Sequence, residues 1–475
     1  MSGEAVSGGA VSGGPMSSGA TRGLAPMRSL RTRAQDGRER LVFCLVIAAV
    51  TAHLTVSGSL LTWIGVRYDT PGGIPLVKLH LATYLTALAA ALQVWGRRPL
   101  VPKLVERVAA SPLFPLSIAL MLTCAAYSFA NVGLSGTAVY IETYISAALL
   151  GFTMERLGRE RLRRVGYALL ALCTLNALMC IGEVLLQRRL LPIILVFNDQ
   201  EIGPLPDWEG QFRGTALLGQ PLTGAMITML AVFLCLAVDL KPALKAATVT
   251  VLLVALITFG GRTALAVAYA LLICLGAADA VRRLAARRMG PGYVALALAA
   301  VVIVPALLAG ILFETSLGER IAGKFYADDS ATVRLVQWDI LGQMDARDLL
   351  FGMDNDRLGA AMLRIGLDPP FNDIESFWLL SFVTLGATGF AVWLAGLLVL
   401  LRRLLREPGV YPRLILLSML LVASGSNSLG RKSNILFVTV AAVMSAAAFT
   451  APREARRAIP PPAFRDASLQ HARSA

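Results

Sequence analysis

Three arginines stand where an apolar chain has little use for them. Arg213 in FRGTALLGQPLTG, Arg262 in TFGGRTAL and Arg431 in SNSLGRKSN each fall close to the start of an apolar run. A helix N-terminus is already partly positive, so an arginine there is mildly unfavourable unless an anion joins it. Helix N-termini and guanidinium forks both bind phosphate. Together these residues could hold a phosphorylated ligand at the mouth of apolar helices. Gly214 and Gly219 allow close backbone approach beside Arg213, and Pro221 is expected to break or kink the helix there. The bland alternative for Arg213 is a snorkelling interfacial side chain. Arg262 follows Gly260 and Gly261 in a tight hairpin that offers no local carboxylate. Arginine at a membrane centre costs about 2.5–3.5 kcal/mol, so Arg262 calls for a distant carboxylate or a bound anion. Arg431 with Lys432 also reads as an exposed interfacial pair. Arg334, in a long loop beside Trp338, could close over an anion from above; a solvated helix face is the alternative.

The acids come next. Glu375 lies in NDIESFWLL, after Asp373 and before Trp378, at the start of an apolar run. It reads either as a general base beside a bound anion or as an acid that stabilises a helix N-terminus. Glu142 and Glu183, near helix ends, could line a cavity or pair with an arginine. The three histidines are His53, His80 and His471, and none lies in either long loop. A histidine base is therefore not expected there, nor is a metal site or cofactor. His80 reads as a satisfied buried histidine. The six cysteines (Cys44, Cys124, Cys173, Cys180, Cys235 and Cys274) all fall in apolar runs and read as packing residues, without a disulfide framework.

The elements that must position these residues are membrane helices. The chain has 475 residues, 56% apolar and 16% charged, with a mean hydropathy of +0.66. That lies outside the usual soluble range. Twelve spans are expected, near 41–61, 76–96, 112–130, 137–154, 165–186, 214–238, 243–260, 262–281, 292–313, 374–401, 411–425 and 433–451. Basic clusters such as ERLGRERLRR, VRRLAARR and RRLLRE all fall on one side of the alternating spans, so both termini are expected in the cytoplasm. The net charge of +14 is a topology signal, with anionic-lipid contact as a further role; nucleic-acid binding fits poorly with such scattered charge. Residues 1–40 are expected as a disordered tail without a cleavable signal peptide, and 452–475 as a flexible one. Two outer loops are long, about 187–213 and 314–373. In the larger loop an amphipathic helix is predicted over Ser330–Met344, with Ser330 as N-cap. A second is predicted from Asp354 or Asn355 to Gly366. The whole reads as a helical lid between spans 9 and 10.

Four segments in this order resemble the signature region of the O-antigen ligase and O-antigen polymerase superfamily. They are FRGTALLGQPLTGA, GGRTALAVAYALL, RLVQWDIL with DLLFGMDND, and IESFWLLSFVTLGATGFAVWL, covering about 210–400. The resemblance implies an all-α membrane glycosyltransferase of the C-type architecture. It would use an undecaprenyl-diphosphate-linked oligosaccharide at the outer face of the bacterial inner membrane. By position, Arg213 and Arg262 match the family's diphosphate-binding arginines. The ligases carry a histidine where this chain has Glu375, and Gly352-Met353-Asp354 replaces their Gly-x-Gly turn. Both differences favour a polymerase of O-antigen, capsule or exopolysaccharide repeats. The implied partners are the bilayer, a chain-length regulator and a flippase of the same pathway. Transfer to lipid A-core by a ligase, a lipid-linked glycan flippase or related carrier, and a non-catalytic export partner are the competing expectations.

Overall fold

A computed structural model describes residues 25–68, 75–95, 100–191, 194–197, 200–204, 212–286, 335–367 and 374–450. Helix α1 (Ala25–Thr55) leads to a short α2 (Gly58–Trp63), then α3 (Leu81–Val94), α4 (Leu100–Ala110), α5 (Leu113–Val132) and α6 (Leu134–Val139). A π-helical turn over Tyr140–Ile145 joins α6 to α7 (Ser146–Met154). Helix α8 (Arg159–Leu186) precedes the strands β1 (Ile194–Phe197) and β2 (Gln200–Pro204), which pair antiparallel. Then come α9 (Pro221–Ala237), α10 (Pro242–Thr258) and α11 (Arg262–Ala285). The larger loop contributes α12 (Ala346–Phe351) and α13 (Asn355–Arg364). The chain closes with α14 (Phe377–Leu405), α15 (Val410–Ser424) and α16 (Ile435–Thr450).

The fold is a helical bundle with one small hairpin. Among the described residues, four helices (α5, α8, α11 and α14) are long and apolar enough to cross a membrane, and five further apolar helices are shorter. Helices overlie every expected span except 292–313, which lies outside the described residues. Leu122, Leu175, Leu178, Ile273 and Leu398 are exposed in mid-helix. Water would penalise such a surface and lipid would not, so the architecture is compatible with a helical membrane protein. α9 and α16 form the centre, buried along nearly their whole lengths.

The helix ends sort into two layers. At one end arginines bond carbonyls and carboxylates. Arg38 donates to the Trp95 carbonyl (2.7 Å), Arg159 to that of Ala448 (2.6 Å) and Arg161 to Glu39 (2.8 Å). Arg163 pairs with Asp239, and Arg403 with Glu155 (2.7 Å) and Glu407 (2.8 Å). We call this the basic end. The opposite end holds Arg213, Arg262, Glu375 and Arg431.

Several elements differ from expectation. α1 begins at Ala25, so residues 25–40 are helical where a disordered tail was expected. The stretch has five arginines, two alanines and one each of Met, Leu, Gln and Glu, all good helix formers. α9 starts at Pro221 rather than being kinked by it. Proline suits the first helical position because its missing N–H would be unpaired there anyway. In the larger loop Ser330 lies outside the described residues, and the stretch ending at Met344 forms a 3-10 helix over Gln337–Gln343 rather than an α-helix. Three residues per turn align Gln337 with Ile340. Both are buried, whereas Leu335 and Trp338 are exposed.

α13 forms as predicted, capped by Asp354 and followed by Gly366 at φ +78°. Arg357 reaches back to Asp345 (3.0 Å) and to the buried Asp348 (2.6 Å), locking α12 to α13. The Asp348 backbone N–H, with the Arg357 guanidinium second, holds the Asp345 carboxyl below its usual range. Ile340, Met344, Met353 and Met362 bury against Leu379, Leu380 and Val383 at the start of α14. The loop thus packs on α14 through its own small core.

Two glycines seal that contact. Gly386 breaks the regular dihedrals inside α14 (φ 61°, ψ 178°). Gly352 sits at φ +83°, and a Cβ added there would collide with the Thr384 carbonyl; one added at Gly386 would collide with the backbone of Phe351 and Gly352. The Met353 N–H donates to the Val383 carbonyl (2.8 Å), and Tyr127 Oη to that of Phe351 (2.7 Å). Gly352→Ala is expected to lower the thermal stability of the detergent-solubilised protein. With ψ 168° at Gly352 the backbone lies in a region that is essentially glycine-only, which costs alanine about 1–3 kcal/mol, and the backbone collision adds to it. An unchanged Tm would contradict this packing.

Candidate functional site

The arginine half of the site starts from a carboxylate. Glu183 is fully buried near the C-terminus of α8, where a negative charge opposes the helix dipole. Three backbone donors offset this. Glu183 Oε1 accepts from the Leu190 N–H (2.9 Å), and Oε2 from those of Thr215 (2.7 Å) and Ala216 (2.9 Å). Hydrogen bonds to a charged group contribute about 1.5–3 kcal/mol each. One and two turns earlier on the same face, Cys180 packs against Gly214 and Asn176 Oδ1 accepts from the Leu217 N–H (3.0 Å). The segment from Phe212 to Gln220 is therefore held without being an α-helix.

Arg213 projects from this segment, eight residues ahead of α9, and not from a helix N-terminus as expected. A Cβ placed on Gly260 would lie 3.7 Å from Arg213 Nε and 3.8 Å from its Cδ. The Arg213 side chain thus runs alongside the turn that ends in Arg262. Gly260 adopts φ +70°, Gly261 caps α11, and Arg262 is the first helical residue, half-buried. A Cβ on Gly261 would strike Ala225 Cβ of α9. Gly261 thus lets the turn press onto α9, and Gly260 lets the Arg213 side chain lie along it. The Arg213 side chain lies at the turn from which α11 starts with Arg262, and arginines at a helix N-terminus suit a polyanion such as a diphosphate.

The acid half has different supports. Glu375 is half-buried just ahead of α14, and its N–H donates to Oε1 of the buried Gln337 (2.8 Å). Ser376 caps α14, the Phe377 N–H donates to the Ser426 carbonyl (3.1 Å), and Trp378 Nε1 donates to Ser424 Oγ (3.1 Å). Arg431 is exposed. Its carbonyl accepts from Thr143 Oγ1 (2.9 Å), and Tyr144 Oη donates to the Leu429 carbonyl (2.6 Å). Both belong to the π-helical turn, a geometry frequent at functional sites. Glu142 in the same turn accepts from Tyr68 Oη. Lys432 Nζ lies 4.1 Å over the Tyr68 ring and donates to its carbonyl (2.8 Å). The end of α1 joins the halves: Asn434 Nδ2 donates to the His53 carbonyl (2.7 Å), and Ser57 Oγ sits 3.1 Å from a Cβ on Gly219.

His80 is buried and satisfied, as expected. Its Nδ1 accepts from the Ala82 N–H (3.1 Å) while Nε2 donates to the Val56 carbonyl (2.7 Å). Of the remaining candidates, Trp338 is exposed one residue after Gln337. Arg334 and Asp373 lie outside the described residues. Glu183, read from sequence as a cavity residue or arginine partner, serves the backbone instead. The signal for this was the spacing of Asn176, Cys180 and Glu183 on one face of an apolar helix. Tyr68 and the π-helical turn carried no comparable signal.

A scan against protein-family models finds no match to this chain, and a search of curated proteins finds none either.

Gly261→Ala tests the approach of the turn to α9. Overpacking of this kind costs about 1–3 kcal/mol, so the variant is expected to melt at lower temperature than wild type. Equal stability would mean that the turn does not need this contact.

Proposed function

We propose that the chain is a membrane glycosyltransferase that polymerises lipid-linked polysaccharide repeat units. The donor is an undecaprenyl-diphosphate-linked glycan, and transfer takes place at the outer face of the bacterial inner membrane. The observation that carries this reading is the Arg213 side chain lying along Gly260, beside Arg262 at the first position of α11. Further support is the separation of this end from the basic end, which positive-inside logic assigns to the cytoplasm.

In this reading the acceptor hydroxyl attacks the anomeric carbon of the donor. The bond from that carbon to the diphosphate oxygen breaks, and its electron pair stays on the diphosphate. Arg213 and Arg262 stabilise the charge that grows on the leaving group, which lowers the barrier more than it tightens ground-state binding. Glu375 takes the proton of the attacking hydroxyl. It stands at a helix N-terminus on a segment fixed by Gln337. Arg334 would add a third cation from the loop.

Arg213→Ala and Arg262→Ala are each expected to slow chain extension by about 10²-fold, with membrane insertion intact. The assay is elongation of lipid-linked repeat units by the purified protein. Wild-type elongation by either well-inserted variant would sink the proposal. For Glu375→Gln a loss of about 10²-fold or more is expected; undiminished turnover would remove Glu375 as the base. Unchanged chains appearing in the other leaflet would point to a flippase instead.

A further inference from the structure

We infer that Glu183 is a positioning residue for the anion site, setting the reach of Arg213 through the backbone of Thr215 and Ala216. This rests on reading Arg213 as a diphosphate ligand. Arg213 belongs to no helix, so regular structure does not orient it. Its segment is held chiefly through the Glu183 carboxylate. Oε1 binds Leu190, where the chain has just left α8, and Oε2 binds Thr215 and Ala216, where it returns. One side chain thus ties both ends of the intervening loop.

Two further observations show the tie under load. Ala216 is buried with φ +45°, a left-handed conformation that a non-glycine residue keeps only when its surroundings impose it. Gly214 has no room for a Cβ, because Cys180 Sγ and the Cys180 carbonyl occupy that space. Asn176 Oδ1 secures Leu217 on the same helix face. Arg213 is therefore placed from behind, by groups that do not touch the anion.

Glutamine at 183 would keep the volume but turn an NH2 group towards backbone donors. The test measures binding of a short-chain polyprenyl diphosphate to the full chain in nanodiscs, for Glu183→Gln and Asn176→Ala, each alone and combined with Arg213→Ala. Glu183→Gln is expected to weaken binding about tenfold and Asn176→Ala about threefold, and neither should weaken it further once Arg213 is alanine. Glu183→Asp should recover part of the loss. If Arg213→Ala weakens binding while Glu183→Gln and Asn176→Ala do not, the positioning role is overturned and the diphosphate reading stands. Full additivity with Arg213→Ala overturns it too, because general damage would not act through that side chain. If Arg213→Ala and Arg262→Ala leave binding unchanged, the diphosphate reading itself fails. Should Glu183→Gln not insert, the additivity of Asn176→Ala decides.

Discussion

Backbone N–H groups that leave a helix inside an apolar layer must find acceptors on the protein itself. Glu183 supplies acceptors to three of them, and the irregular segment carrying Arg213 exists on that condition. The same constraint governs the rest of this end. Thr143 and Tyr144 serve the carbonyls of the 429–431 stretch, and Gln337 serves the N–H of Glu375. Each of these irregular pieces is served by a side chain from another element. Such chain is tolerated at membrane depth only where protein or a cavity surrounds it.

The two ends of the bundle solve their electrostatics differently. At the basic end arginines are consumed locally, on carbonyl groups and on carboxylates such as Glu39, Glu155 and Asp239. At the other end the buried acids Glu142 and Glu183 are used on a tyrosine and on backbone. There the guanidinium-bearing side chain of Arg213 lies along a glycine turn, at Gly260.

The sequence carried the helices well, because apolar runs near bilayer length speak for themselves: α5, α8, α11 and α14 fall where expected. Charge spacing carried the sorting of helix ends. It also singled out Arg213 and Arg262, and the Arg213 side chain lies against Gly260, two residues before Arg262. Three features stayed hidden. The β1–β2 hairpin has only a short signal, the apolar Ile194–Phe197 followed by the turn-forming pair Asn198-Asp199. The 3-10 helix at Gln337 has an apolar spacing that also fits an α-helix, and only packing decided between them. For Glu183 the spacing with Asn176 and Cys180 marks a helix face, but not what that face holds, because its partners are backbone groups, which every residue has.

The contact between Gly352 and Gly386 makes the larger loop and α14 parts of one lever. Backbone touches backbone there, and the helix itself gives way at Gly386 to permit it. A side chain in that position could rotate aside and absorb a displacement, but two peptide planes cannot. Movement of α12 and α13 is therefore handed on to the first turns of α14, and with them to the segment that carries Glu375. Material arriving on the loop would be felt at the helix mouth as a change of angle, with no soft layer in between to dissipate it.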